Sequence, residues 1–254
     1  MTSIPVAIDQ KYLAETVDWL SDGCVSAPTA DEVLNQVCAR LMACGVPLAH
    51  AAMLDTYVGG QAGARILGGH VRRGDVEAIR AAIWLSDMRG FTARADRYFD
   101  CQVPILRAHG GEVLKFMGDG LLAIFPIDAT GAHAGKSDLA IVCNQALTAA
   151  REVEAEVAAA DWGGLEAPGG IKFGVALHVG EVLYGNVGSS NRLDFTCIGP
   201  AVNLAARIEA LSGQIGRTIL ASAEFAEACG AEMMPLGSFA LKGVAVEQAV
   251  YGVA

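Results

Sequence analysis

Apolar residues recur at two different periods along this chain, and the period changes near residue 79. Upstream, the spacing is helical. Tyr12 to Leu20 carries apolar positions three and four apart. Thr29-Ala30-Asp31-Glu32 reads as a capping box opening a second helix through Val33, Leu34, Val37 and Leu41, which Gly45-Val46-Pro47 stops. A further helical stretch over about 52–67 is interrupted by Gly59, Gly60 and Gly63, and Arg72-Arg73-Gly74-Asp75 reads as a turn-like junction. Downstream, short apolar runs bounded by glycine predict strands. Ile83–Asp87 reads as a buried strand, and Glu112–Met117 and Leu121–Phe125 as a hairpin across Gly118-Asp119-Gly120. Lys172–Val179 and Glu181–Asn186 predict a second strand pair around Gly180, and Leu193–Ile198 another strand. Short strands are expected at Thr218–Leu220, Ser238–Leu241 and Gln248–Tyr251. Between them, helices are predicted over Arg94–His109, kinked or split by Pro104, over Ser137–Asp161, and over Pro200–Leu211 with proline in the first turn. This order predicts an α+β fold, a mainly antiparallel sheet with helices on one face.

Composition narrows the function classes. A chain of 254 residues that is 53% hydrophobic can bury a full core. The formal net charge of −10 argues against nucleic acid as a partner, because phosphate-backbone binding needs an excess of Lys and Arg. No membrane span is expected: the longest uncharged apolar stretch, Leu41 to Leu54, is broken by Gly45 and Pro47. The N-terminus has no basic region ahead of an apolar one, so no signal peptide is expected. Seven cysteines without a C-x-x-C pair read as free, buried thiols in a reducing compartment, hence a cytoplasmic location.

Two aspartates carry the first hint of chemistry. Asp87 ends an apolar run and opens Met88-Arg89-Gly90-Phe91-Thr92; Asp119 sits between glycines at a hairpin turn. Taken singly, Asp119 fits a turn former and Asp87 a loop cap. Taken together, they would form a divalent-metal pair beside glycine-rich backbone able to cradle an anion. Lys115 interrupts an apolar strand, and alternation places Lys115, Met117 and Asp119 on one face with Leu114 and Phe116 on the other. An edge-strand lysine that deters aggregation is the alternative for Lys115. Asn203 and Arg207 are four apart on a mostly apolar helix and share a face, either for a task or as a solvated stripe. No Gly-x-Ser-x-Gly, P-loop or dinucleotide-binding signature is present.

Four segments, in order, resemble the catalytic domain of the class III nucleotidyl cyclases. They are Leu85-Ser86-Asp87-Met88-Arg89-Gly90-Phe91-Thr92, His109-Gly110-Gly111-Glu112-Val113-Leu114-Lys115-Phe116-Met117-Gly118-Asp119-Gly120, Gly185-Asn186-Val187-Gly188, and Asp194 through Arg207. The resemblance implies a ferredoxin-like α+β fold acting as a head-to-tail homodimer over residues 79–254. Residues 1–53 then read as a helical remnant of a sensory region and 54–78 as a linker. It also implies that Asp87, Asp119 and the Met88 carbonyl bind two Mg²⁺ or Mn²⁺ ions per site. Gly90, Phe91 and Thr92 would bind substrate phosphate, Lys115 and Thr196 would read the purine, and Lys242 would hold the triphosphate. Asn203 and Arg207 would act on the transition state. The implied activity is conversion of ATP to cyclic AMP. ATP is expected over GTP because a lysine donor suits adenine N1, whereas guanine N1 is itself a donor.

The chain departs from that pattern at one place. The family has a further helix between the Gly-Phe-Thr motif and Tyr98-Phe99-Asp100, but only Ala93-Arg94-Ala95-Asp96-Arg97 stands here. An alternative reading is therefore a catalytically weak or inactive cyclase-like module that dimerises or binds nucleotide.

Overall fold

A computed structural model describes residues 9–21, 36–37, 40–41, 72–89, 94–127, 136–163, 170–189 and 193–253. The chain divides into two units, Met1–Gly68 and Gly69–Ala254. In the first, α1 (Gln10–Ser21) covers the stretch predicted from Tyr12. Asp9 caps it by accepting from the Lys11 and Tyr12 backbone N–H groups. The guanidinium of Arg40 lies 4.6 Å from the Trp19 ring centre. The capping box at 29–32 and the stretch 52–67 lie outside the described residues.

The second unit is built on one sheet. Its elements run β1 (Val76–Met88), α2 (Ala95–Ala108), β2 (Glu112–Met117), β3 (Gly120–Ile127), α3 (Lys136–Ala159), β4 (Phe173–Gly188), β5 (Leu193–Ile198), α4 (Pro200–Glu209), α5 (Ser212–Ile215), β6 (Ile219–Ser222), α6 (Ala223–Cys229), β7 (Met234–Phe239) and β8 (Gln248–Gly252). Strand order is β2-β3-β1-β4-β6-β8-β7, with β5 also paired to β4. The first half, β1-α2-β2-β3-α3-β4, has the strand order of a ferredoxin-like unit. Pairing is antiparallel except between β4 and β6.

The α+β expectation holds, but the expectation that the helices lie on one face is corrected. Ala82, Trp84, Leu121, Ala123 and Phe125 face α2, α3 and α6 in one core. Alternate residues Ala81, Ile83, Leu85, Leu122 and Ile124 face Ala201 and Ala205 of α4 in a second core. The central strands are apolar on both faces, so both must be covered; α4 lies on the face opposite α2, α3 and α6, with Ile215 of α5 packed in the same cluster as Ile208 of α4.

Several local expectations are corrected. Lys172–Asn186 is not a hairpin: β4 runs unbroken through Gly180, which pairs with Ala81 of β1. Gly180 serves close packing, since a Cβ there would stand 2.5 Å from the Ala201 Cβ of α4. β1 starts at Val76 because Val76–Arg80 pair with Gly185–Glu181 of β4, so it is longer than Ile83–Asp87. α2 continues across Pro104 rather than splitting there. β7 ends at Phe239 and Leu241 belongs to the following turn, closed by Val244 N–H to the Leu241 carbonyl at 3.0 Å. Helix α6, capped by Ser222 accepting from Phe225 N–H, went unread in the sequence.

The four cysteines among the described residues, Cys101, Cys143, Cys197 and Cys229, are free and buried as expected. Among the described residues, no helix is long and apolar enough to cross a membrane.

Candidate active site

Asp87 and Asp119 are brought together by strand register. β1 lies antiparallel to β3, setting Asp87 opposite Gly120, and the two-residue turn Gly118-Asp119 joins β2 to β3 beside it. Gly118 takes φ +67, a left-handed value that suits glycine in so tight a turn. Met88 donates its backbone N–H to the Asp119 carbonyl at 3.2 Å, tying the strand end to the turn, and buries its side chain in the core. A Cβ on Gly120 would lie 2.9 Å from Asp87 Oδ1, so glycine keeps the space beside that carboxylate open. Burial raises the Asp87 pKa, the Asp119 charge raises it further, and Arg89 pulls it down. Two hard oxygen donors that repel each other beside a cleared backbone fit Mg²⁺ or Mn²⁺ in donor chemistry. Among the described residues, no cluster of three or more His, Cys, Asp or Glu could hold a metal, so the candidate stands on this pair and main-chain oxygens. Gly90, Phe91 and Thr92 lie outside the described residues.

A second group gathers around α4. Asn203 is exposed, and Arg207 Nη1 donates to its carbonyl at 3.3 Å, so the shared face read from the spacing is real. The Arg207 guanidinium also reaches the turn after β7: a Cβ on Gly243 would stand 3.4 Å from Arg207 Nη2. Lys242, adjacent to Gly243, is exposed at that turn. Asn203, Arg207 and Lys242 thus form one polar edge.

A third group joins β2 to β5. Lys115 Nζ pairs with Asp194 Oδ2 at 2.8 Å, both side chains half exposed. Thr196 lies two residues further along β5, opposite Gly185, and is only 8% exposed. The face assignment on β2 changes, because the ladder shifts between Val113 and Lys115. Through that irregularity, Leu114 packs against the α4-side core while Phe116 meets Phe99 of α2 at 4.5 Å between ring centres. Leu114 and Phe116 therefore do not share a face.

No family model matches the sequence. Adenylate cyclase 1 of Rhizobium meliloti is 31% identical over 165 residues, covering 63% of this chain and 24% of the relative. The chain thus spans about a quarter of that relative's length. A solved bacterial light-regulated adenylyl cyclase superposes with a TM-score of 0.62 at 25% identity, covering 85% of this chain and 64% of the other. In sequence and in fold the chain is thus similar to class III nucleotidyl cyclase catalytic domains. A solved guanylyl cyclase also matches the chain, with a TM-score of 0.52 at 27% identity over 70% of this chain and 93% of the other. The family therefore does not by itself select the purine.

Residues that sequence reading passed over surround the aspartate pair. Glu209 on α4 is buried at 8% exposure, and Ser212 Oγ donates to its Oε1 at 3.2 Å. Arg89 Nη2 donates to Ser212 Oγ. Burial raises the Glu209 pKa and the Asp87 charge raises it again, while the Ser212 hydrogen bond and Arg89 lower it. The available signal was an acid at the end of an apolar helix, two residues beyond Arg207. At 3.6 residues per turn, those two side chains point about 200° apart. Glu209 accordingly turns toward Asp87 while Arg207 turns toward Asn203 and Gly243.

Proposed function

We propose that this chain is an adenylate cyclase that converts ATP to 3′,5′-cyclic AMP and pyrophosphate at sites shared by two copies of the domain. The observation that carries the reading is the register that sets Asp87 beside Asp119 under an open glycine. Asp87, Asp119 and the Met88 carbonyl would hold two Mg²⁺ or Mn²⁺ ions. Such ions lower the pKa of the attacking ribose hydroxyl and neutralise charge on the leaving pyrophosphate.

The chain's own residues supply the remainder. As the ribose 3′-hydroxyl releases its proton to water, the O3′–Pα bond forms while the bond from Pα to pyrophosphate breaks, and negative charge grows on the phosphoryl oxygens. The Arg207 guanidinium, braced on its own helix, stabilises that charge. Asn203 orients the ribose from the same face, and Lys242 holds the pyrophosphate end. Lys115 donates to adenine N1, and the Thr196 hydroxyl accepts from adenine N6. Arg207 and the aspartates face different ways within one chain, which supports a site completed by a second copy placed head to tail.

The test is cyclic AMP formation by the purified chain with ATP and Mn²⁺, beside Asp87→Ala. Product well above the Asp87→Ala background supports the reading, and equal product in both overturns it. GTP in place of ATP tests the purine assignment.

One observation favours a second reading, a cyclase-like module that dimerises or binds nucleotide with little turnover. β1 ends at Met88 and α2 begins at Ala95, so only residues 89–94 join them. Nucleotide binding without product would support that alternative.

A further inference from the structure

The Asp87 carboxylate has a cation next to it that does not close on it. Arg89 lies two residues along the chain and acts on Asp87 electrostatically. Among the described residues, however, no ion pair joins the two. The guanidinium instead donates to Ser212 Oγ, and Ser212 passes its own hydrogen to Glu209 Oε1. Two glycines make room for this. Gly174 stands opposite Asp87 in the β1–β4 register, and a Cβ there would collide with Ser212 Oγ and Glu209 Oε1. A Cβ on Gly213 would collide with the Arg89 guanidinium. The Arg89 backbone is held as well, its N–H donating to the Lys172 carbonyl at 2.8 Å.

We infer that Glu209 and Ser212 are positioning residues that park the Arg89 guanidinium away from Asp87, leaving that carboxylate open to a divalent cation. The inference rests on the aspartate pair being a cation site, as proposed above. An arginine free to swing would pair with Asp87, since a guanidinium matches a carboxylate with two parallel hydrogen bonds. It would then compete directly with the metal. Glu209, buried and facing the same guanidinium, gives Arg89 a rival carboxylate. Ser212 bridges the two and sets the distance. In this arrangement Arg89 also offsets part of the repulsion among Asp87, Asp119 and Glu209 without occupying the metal position.

The test is Mn²⁺ binding to the full chain without nucleotide, read from the loss of the free-ion electron paramagnetic resonance signal. Glu209→Gln is expected to weaken binding roughly tenfold, within the range for directly coupled side chains. Glu209→Gln combined with Arg89→Gln is expected to bind like the parent chain, because the competing cation has gone. Ser212→Ala provides an independent loosening of Arg89, with a smaller loss that Arg89→Gln again reverses. Unchanged Mn²⁺ binding in both Glu209→Gln and Ser212→Ala would overturn the inference, as would a loss that Arg89→Gln does not restore. Asp87→Ala separates the two levels of the argument. Parent-chain Mn²⁺ binding that survives Asp87→Ala sinks the cation-site reading itself. Binding that needs Asp87 but ignores Glu209 and Ser212 sinks only the parking role.

Discussion

His178 is only 5% exposed, and its Nδ1 pairs with Ser222 Oγ at 2.8 Å. Burial lowers its pKa from the ordinary 6.5, with Glu224 opposing the shift from 3.7 Å. The consequence for stability has a definite sign. Between the folded pKa and 6.5, the unfolded chain binds more protons, so stability falls as pH drops through that window and is steady above it. Denaturant titrations from pH 8 downward should show a loss beginning near 6.5 that His178→Gln removes in part. Ser222 does two jobs, accepting from Phe225 N–H at 3.2 Å and partnering His178. Ser222→Ala is expected to cost about 1 kcal/mol for the lost cap. A further ~1–3 kcal/mol is expected for the stranded imidazole nitrogen, measured by the same titrations. A loss no larger than the cap alone would mean that the His178 contact contributes nothing. Neither role was legible in the sequence, where His178 was one histidine among five without ligand spacing.

At the scale of elements, the contact between β4 and α4 decides where the proposed catalytic helix sits. The Gly180–Ala201 approach sets that spacing. Gly180→Ala is expected to destabilise by about 1–3 kcal/mol through overpacking, and Gly180→Ala with Ala201→Gly to recover part of it. Because α4 carries Asn203 and Arg207, the single variant should also lower any cyclase rate more than it lowers nucleotide affinity. Equal stability of Gly180→Ala and the parent chain would show that the strand and helix can separate freely. Hydrophobic runs and the Pro200 start placed most of these elements correctly. Gly180 misled because a glycine amid apolar residues reads equally as a turn or as a place where a helix comes close. Only the helix above it distinguishes the two.

For the whole molecule, the expected consequence of the proposed shared sites is complementation. Asp87→Ala removes one half of a site and Arg207→Ala the other, so each chain alone should be inactive. Random pairing of the two in a symmetric dimer should restore about a quarter of parent activity, since half the dimers are mixed and each holds one intact site. Cyclic AMP formation by mixed, co-refolded chains measures this. Absence of recovery, with both variants folded and dimeric, would place all the catalytic groups within a single chain.

The order of apolar runs, glycines and caps was enough to determine an α+β domain and the free, buried state of the four described cysteines. Those features are local, written in periodicity and short motifs. Tertiary structure decided what depends on strand register and on helices crossing the sheet. It put Gly120 opposite Asp87 and Gly174 on the other side. It set α4 on the second face of the sheet and tied Lys115 to Asp194 across 79 residues of chain. It also brought Glu209 and Ser212 to Arg89. Which partner a charged side chain meets is fixed by the packing of distant segments, so one-dimensional spacing carries no trace of it.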